Sequence, residues 1–109
     1  MADTAKILGQ VATSATTETA LYTVPSATTT VVSSLYVVNR GTASTSFRIS
    51  CSVASAATAT KDYLYYDVPI GANDTFVATV GLSLGASDII RVYAGNANLS
   101  FTAFGLETS

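Results

Sequence analysis

Phe47-Arg48-Ile49-Ser50-Cys51-Ser52-Val53 decides the fold class, because every odd position is apolar and every even one polar. Successive side chains of an extended strand point to opposite faces, whereas a helix would scatter this pattern around its circumference. The stretch therefore reads as a half-buried antiparallel strand. Phe47, Ile49, Cys51 and Val53 are expected to face a core, with Arg48, Ser50 and Ser52 turned outward.

The same period continues in both directions. Thr30 to Asn39 (TVVSSLYVVN) is rich in β-branched and aromatic residues and reads as a more fully covered strand. Further strands are expected at Ala20 to Val24, Asp62 to Val68, Asp74 to Leu82, Asp88 to Ala94 and Leu99 to Leu106. A short one lies near Lys6 to Val11, which brings the total to about eight. Between them, Asn39-Arg40-Gly41-Thr42, Pro69 to Asp74, Gly85-Ala86-Ser87-Asp88 and Gly95-Asn96-Ala97-Asn98 carry turn chemistry. The glycines stand singly and are read as turn residues. Only Ala54 to Lys61 has room for a turn of helix. The expected architecture is all-β: an antiparallel, jelly-roll-like β-sandwich of about eight strands, with a closed barrel as the alternative.

Ala12 to Thr19 (ATSATTET) is a polar, low-complexity stretch. It divides the chain into an N-terminal arm (1–11), a linker (12–19) and a sandwich domain (20–109). An arm on such a tether can pair with a neighbour's sheet edge or add to its own sheet.

The 109 residues suit one domain. Only 11% are charged, against about 25% in soluble domains at large. Ser, Thr and Ala fill the gap, and such a surface repels its neighbours weakly. It suits a molecule packed against others. Lys6, Arg40, Arg48, Lys61 and Arg91 are scattered, so the clustered cations that displace phosphate counterions are missing and nucleic acid is not an expected partner. No apolar run is long enough to span a membrane as a helix. MADTAKILGQV lacks the apolar centre of a secretory signal, which points to synthesis in a cytosol. Cys51 stands alone and reads as a core filler.

Chemistry-bearing patterns are sparse. There is no histidine, so the usual base of a nucleophilic triad and the usual zinc ligand are absent. Asp3, Glu18, Asp62, Asp67, Asp74, Asp88 and Glu107 mostly fall at expected turns or strand ends, where carboxylates cap backbone groups. A glycosidase pair drawn from them has no distinctive context. Asn73, Asp74 and Asp67 match no calcium loop. Asn73-Asp74-Thr75 and Asn98-Leu99-Ser100 fit the N-glycosylation pattern, which matters only in a secretory pathway. We expect no enzyme activity and no cofactor.

The unusual stretch is Asp62-Tyr63-Leu64-Tyr65-Tyr66-Asp67. Strand alternation would put Tyr63 and Tyr65 on one face, Leu64 and Tyr66 on the other. The tyrosines fit either a central strand covered on both sides or an interface or sugar-stacking platform.

Several blocks, in order, resemble a family of small virion proteins of tailed bacteriophages. They are Lys6-Ile7-Leu8-Gly9-Gln10, Leu21-Tyr22-Thr23-Val24-Pro25, Val37-Val38-Asn39-Arg40-Gly41, Lys61 to Tyr66, Ile70 to Phe76 and Arg91-Val92-Tyr93-Ala94. The resemblance spans nearly the whole chain. It implies a small β-domain built into phage particles and carries over no catalytic or ligand-binding residue. With the sequence ending at Leu106-Glu107-Thr108-Ser109, no distal receptor-recognition segment is expected. The expectation is therefore a capsid decoration (cement) protein, with a tail, neck or fibre-adaptor protein as the alternative. Its partners would be the major capsid protein or tail and neck components, and its location the virion. A homo-oligomer, most simply a trimer held through residues 1–11, is expected. The candidate interface residues are Lys6, Ile7, Leu8, Tyr63, Tyr65 and Tyr93. A carbohydrate-binding module using Tyr63, Tyr65 and Tyr93 is the non-viral competitor.

Overall fold

The computed structural model describes residues 2–109. Eight strands follow in chain order: β1 (Asp3–Ala12), β2 (Thr19–Thr23), β3 (Thr29–Asn39), β4 (Thr45–Ser52), β5 (Tyr63–Ile70), β6 (Thr75–Leu84), β7 (Ile89–Ala94) and β8 (Leu99–Thr108). They form two four-stranded antiparallel sheets, ordered β1-β8-β3-β6 and β2-β7-β4-β5. Strand β1 thus pairs with β8, β2 with β7, β3 with β6 and β4 with β5. The chain behaves as one long hairpin with its tip between β4 and β5, rolled so that alternate pairs fall in opposite sheets. That is the jelly roll.

Apolar side chains from both inner faces interdigitate between the sheets. Phe47, Leu35, Ile49, Val32, Val37, Ile90, Val92, Leu99 and Phe101 are essentially inaccessible. Phe47 of β4 lies 5.0 Å from Phe76 of β6 and 6.4 Å from Phe101 of β8, ring centre to ring centre, and so joins the sheets. Phe47 and Ile49 face the core as the alternation requires, and Cys51 packs against its margin.

Val53 departs from that alternation. The chain leaves the sheet after Ser52 and enters a short 3-10 turn, Val53–Ser55, with Ala54 at φ 52° and Ser55 at φ 61°. Val53 consequently projects into solvent, 70% exposed. Ser50 and Ser52 do point away from the core, yet they are buried. Ser50 lies between Arg91 of β7 and Tyr63 of β5. Ser52 Oγ accepts from Arg91 Nη1 at 3.1 Å and donates to Asp62 at 3.3 Å, beneath the segment that connects β4 to β5.

Residues 3–12 are not held apart from the domain. They form the β1 edge of the first sheet, paired with β8 from Asp3–Thr108 to Ala12–Ser100. The stretch expected as a linker is likewise tied in: Thr13 is buried, and Thr16 N–H donates to Ala94 O at 2.8 Å.

The glycines also differ from a turn-only reading. None has positive φ; Thr16, Ala27, Ala54, Ser55, Asp67, Asn73 and Ser87 occupy the left-handed conformations instead. Gly9 and Gly105 lie inside strands, at positions where a Cβ would collide with the carbonyl oxygens of Leu21 and Val31. Among the turns, buried Asn39 is the main clasp. Its Nδ2 donates to Ala43 O at 2.9 Å and Gly71 O at 3.0 Å, and its Oδ1 accepts from Gly41 N–H at 2.9 Å.

Candidate functional site

The sandwich presents two outer faces of unlike chemistry. On the sheet β1-β8-β3-β6, an apolar stripe crosses all four strands. Ile7 of β1 stands opposite Phe104 of β8; Tyr36 of β3 meets the Phe104 ring edge-on, 5.5 Å between centres; Val77 of β6 stands opposite Tyr36. Ile7, Tyr36 and Val77 are 50%, 38% and 47% exposed. Val31, also exposed, and Leu106 form a second apolar pair beside the stripe. Charge is nearly absent. The four strands contain only Asp3, Lys6 and Glu107, and Lys6 Nζ is paired with Glu107 Oε1 at 3.0 Å.

The other outer face carries an aromatic–ionic cluster shaped by two irregularities in β5. Phe47 is opposite Val68 and Ile49 opposite Tyr65, so two residues of β4 span three of β5. A second slip follows, because Ser50 is opposite Tyr63. Bulges of this kind redirect side chains, and Asp67 adopts φ 50° within the first. Tyr66 and Asp67 are thereby brought beside Arg48. Its guanidinium carbon lies 4.3 Å from the Tyr66 ring centre and 4.4 Å from that of Tyr93. Arg48 Nε donates to Asp67 Oδ1 at 2.7 Å, and Nη2 reaches Oδ2 at 3.4 Å. That hydrogen bond holds the guanidinium charged, above its already high ordinary value. Tyr63 packs edge-on against Tyr66, 4.8 Å between ring centres.

The six expected interface residues therefore divide. Lys6 is engaged with Glu107, Ile7 belongs to the exposed stripe, and Leu8 turns inward against the core at the β1 bulge. Tyr63 and Tyr93 belong to the cluster on the opposite face. Tyr63 and Tyr65 do not share a face, contrary to simple alternation. Tyr65 packs inside on Phe47 and Phe76, with ring centres 6.4 Å and 5.4 Å away, because the second slip in β5 separates it from Tyr63. Sequence reading missed Tyr66, Arg48 and Asp67 as partners. The only local signal was the close succession of tyrosines before Asp67. Tyr36, Phe104 and Val77 were missed because their alignment depends on strand order.

Most carboxylates already hold hydrogen-bond donors. Asp62 accepts from Ala59 N–H, Asp74 from Thr75 N–H, and Asp88 from both Gly85 and Ala54 N–H. Glu18 accepts from the Thr58 hydroxyl. Among the described residues, no group of three or more His, Cys, Asp or Glu is placed to hold a metal ion.

Fold and surfaces together define a jelly-roll β-sandwich with one nearly charge-free face and one aromatic–ionic face. Comparison with protein-family models, with curated proteins and with solved structures returned no match.

Proposed function

We propose that this protein is a structural component of a tailed-bacteriophage particle, and that it decorates the capsid exterior as a cement protein. The observation that carries the reading is the outer face of β1-β8-β3-β6. A stripe of exposed Ile7, Tyr36 and Val77 on a surface almost without charge favours coverage by another protein. The ordered sequence blocks that resemble phage virion proteins support it, as does the jelly roll, an architecture used in viral capsids. That last support is an analogy of fold. On this reading the chain has no catalytic role and no cofactor, and its partners are the major capsid protein and further copies of itself.

Quantitative mass spectrometry of purified virions tests the assignment. A cement protein should approach the copy number of the major capsid protein. A few copies per particle would move the protein to the tail or neck, and absence from the virion would overturn the proposal.

The aromatic–ionic face favours a second reading, carbohydrate binding, because tyrosine rings beside an Arg–Asp pair offer both stacking and hydrogen-bonding groups. Tyr66 replaces Tyr65 in that role, since Tyr65 is turned inward. Glycan-array binding lost on Tyr66→Ala would support it; an array without binding would remove it.

A further inference from the structure

Four strands form the edges of the two sheets: β1 and β6 of one, β2 and β5 of the other. An edge strand exposes unpaired N–H and C=O groups and invites another strand unless it is blunted by brevity, charge, proline or a bulge. Strand β1 carries Asp3 and Lys6 and bulges at Leu8. β2 has only five residues. β5 contains Asp67 and Pro69 and is irregular at two places. β6 is different. Its ten residues, Thr75–Leu84, include no charge and no proline, and its one irregularity falls between Thr79 and Leu82. The segment Thr75 to Thr79 is regular.

The hydrogen-bond pattern shows which groups face the open side. Val38 stands opposite Thr75, while Asn39 N–H donates to Asp74 O at 2.9 Å. That makes Val38–Thr75 a non-hydrogen-bonded pair of the antiparallel ladder. By alternation, Phe76 and Ala78 bond to β3, whereas Thr75, Val77 and Thr79 direct their backbone groups away from it. Thr75 N–H is held by its own Asp74 Oδ1 at 2.8 Å. Thr75 C=O and both backbone groups of Val77 and Thr79 remain on the open edge.

We propose that the Thr75–Thr79 segment of β6 pairs antiparallel with the same segment of a second copy, around a twofold axis at Val77, to make one continuous eight-stranded sheet. The register follows from the groups available. Val77 N–H and C=O exchange bonds with those of the second copy's Val77, and each Thr79 N–H meets the opposite Thr75 C=O. An uncharged segment can face itself without placing like charges together. Val77 is also the end of the apolar stripe, so the symmetric pairing joins two stripes across one surface. A second copy is favoured over an unrelated strand because one register pairs the same groups on both edges, leaving only each Thr79 C=O to solvent since Thr75 N–H is already held by Asp74, and extends both stripes. The inference goes beyond the virion reading and does not depend on it.

The test uses the purified full chain, without virions. Sedimentation velocity from micromolar to millimolar concentration should show a monomer–dimer equilibrium. Hydrogen exchange followed by NMR should show the Val77 and Thr79 amides slowing about tenfold or more as the dimer forms. Phe76 and Ala78 should be protected at every concentration. Val77→Lys puts like charges on the axis, and Thr79→Pro removes an edge-facing N–H without touching the β3 ladder. Each should abolish the dimer and keep cooperative melting, whereas Ile7→Lys, at the far end of the stripe, should dimerise as before. If Val77→Lys fails to fold, Thr79→Pro and the wild-type exchange pattern still decide. A protein monomeric at millimolar concentration would overturn the proposal. So would a dimer that survives Thr79→Pro, or one lost on Ile7→Lys alone.

Discussion

Tyr22 of β2 donates its phenolic hydrogen to Glu107 of β8 at 2.5 Å, across the gap between the two sheets. Thr30 Oγ1 of β3 lies 2.8 Å from the same phenol, and Lys6 of β1 pairs with the other Glu107 oxygen. One end of the sandwich is thereby closed by a polar latch rather than by apolar packing. Hydrogen bonding from Tyr22, then from Lys6, holds the Glu107 carboxyl below its usual range. Burial, and then the bond to Glu107, push the Tyr22 phenol up to about 12.

Those shifts give the pH dependence. A carboxyl with a depressed folded value stabilises the fold fully above the ordinary carboxylate range, and the contribution is lost as pH falls through the folded value. For Tyr22 the sign reverses: its contribution is full below the ordinary value of 10.0 and is lost as pH rises toward about 12. Urea unfolding across pH should therefore show the latch weakening at both ends. Tyr22→Phe should cost about 1–2 kcal/mol at neutral pH, because Glu107 loses its buried donor. It should also flatten the acid limb. A wild-type acid limb in Tyr22→Phe would show that Glu107 is held by Lys6 alone.

Gly105 and Gly81 make a matched pair of tests. A Cβ at Gly105 would collide with Val31 O and press on Leu8 Cδ1, whereas one at Gly81 meets nothing within 4 Å. Gly105→Ala should lose about 1–3 kcal/mol by forcing β3 and β8 apart. Gly81→Ala should be neutral or stabilise by up to about 1 kcal/mol, because alanine has fewer unfolded conformations to lose. Thermal or urea melts of both variants check the contrast, and equal effects would contradict the close approach at Gly105.

Phe47 to Ser52 shows why the strands could be read from the sequence. Burial on one face leaves a period of two that a helix cannot imitate, and it places the observed Thr45–Ser52 within two residues of expectation. The pairing of β1 with β8 is another matter. It joins the two ends of the chain, so no local pattern specifies it. The same applies to the apolar stripe, whose members come from four strands. The Arg48 cluster was hidden for a different reason. It depends on bulges at Tyr63–Asp67 and on a left-handed Asp67, and non-glycine residues reach that conformation only when the surrounding structure holds them there.

The end of β4 offers a test of where alternation stops. Ile49 is buried at 1% exposure and Val53 is 70% exposed, although both lie on the odd face of one sequence period. Ile49→Asp would bury an unpaired charge and should prevent folding. Val53→Asp should change stability by less than about 0.5 kcal/mol, since its side chain is already in water. Circular dichroism and thermal melts of the two variants suffice. Unfolding by Val53→Asp would mean that the strand continues past Ser52.

Cys51 tests the core margin chemically. Burial, reinforced by the negative charges of Asp88 and Asp62, pushes its thiol up to about 11. The reactive species is the thiolate, so the folded protein should react with a thiol probe far more slowly than the unfolded chain at pH 8. Labelling should then report opening of the β4–β7 region, where Cys51 stands opposite Ile90. Its rate should rise with urea in parallel with the loss of β-sheet circular dichroism. Cys51→Ser should keep the fold but lower its stability, because a hydroxyl replaces a sulfur that packs against the core. Rapid labelling of the native protein at pH 8, at the rate of a free thiol, would show that the core margin around Cys51 is open.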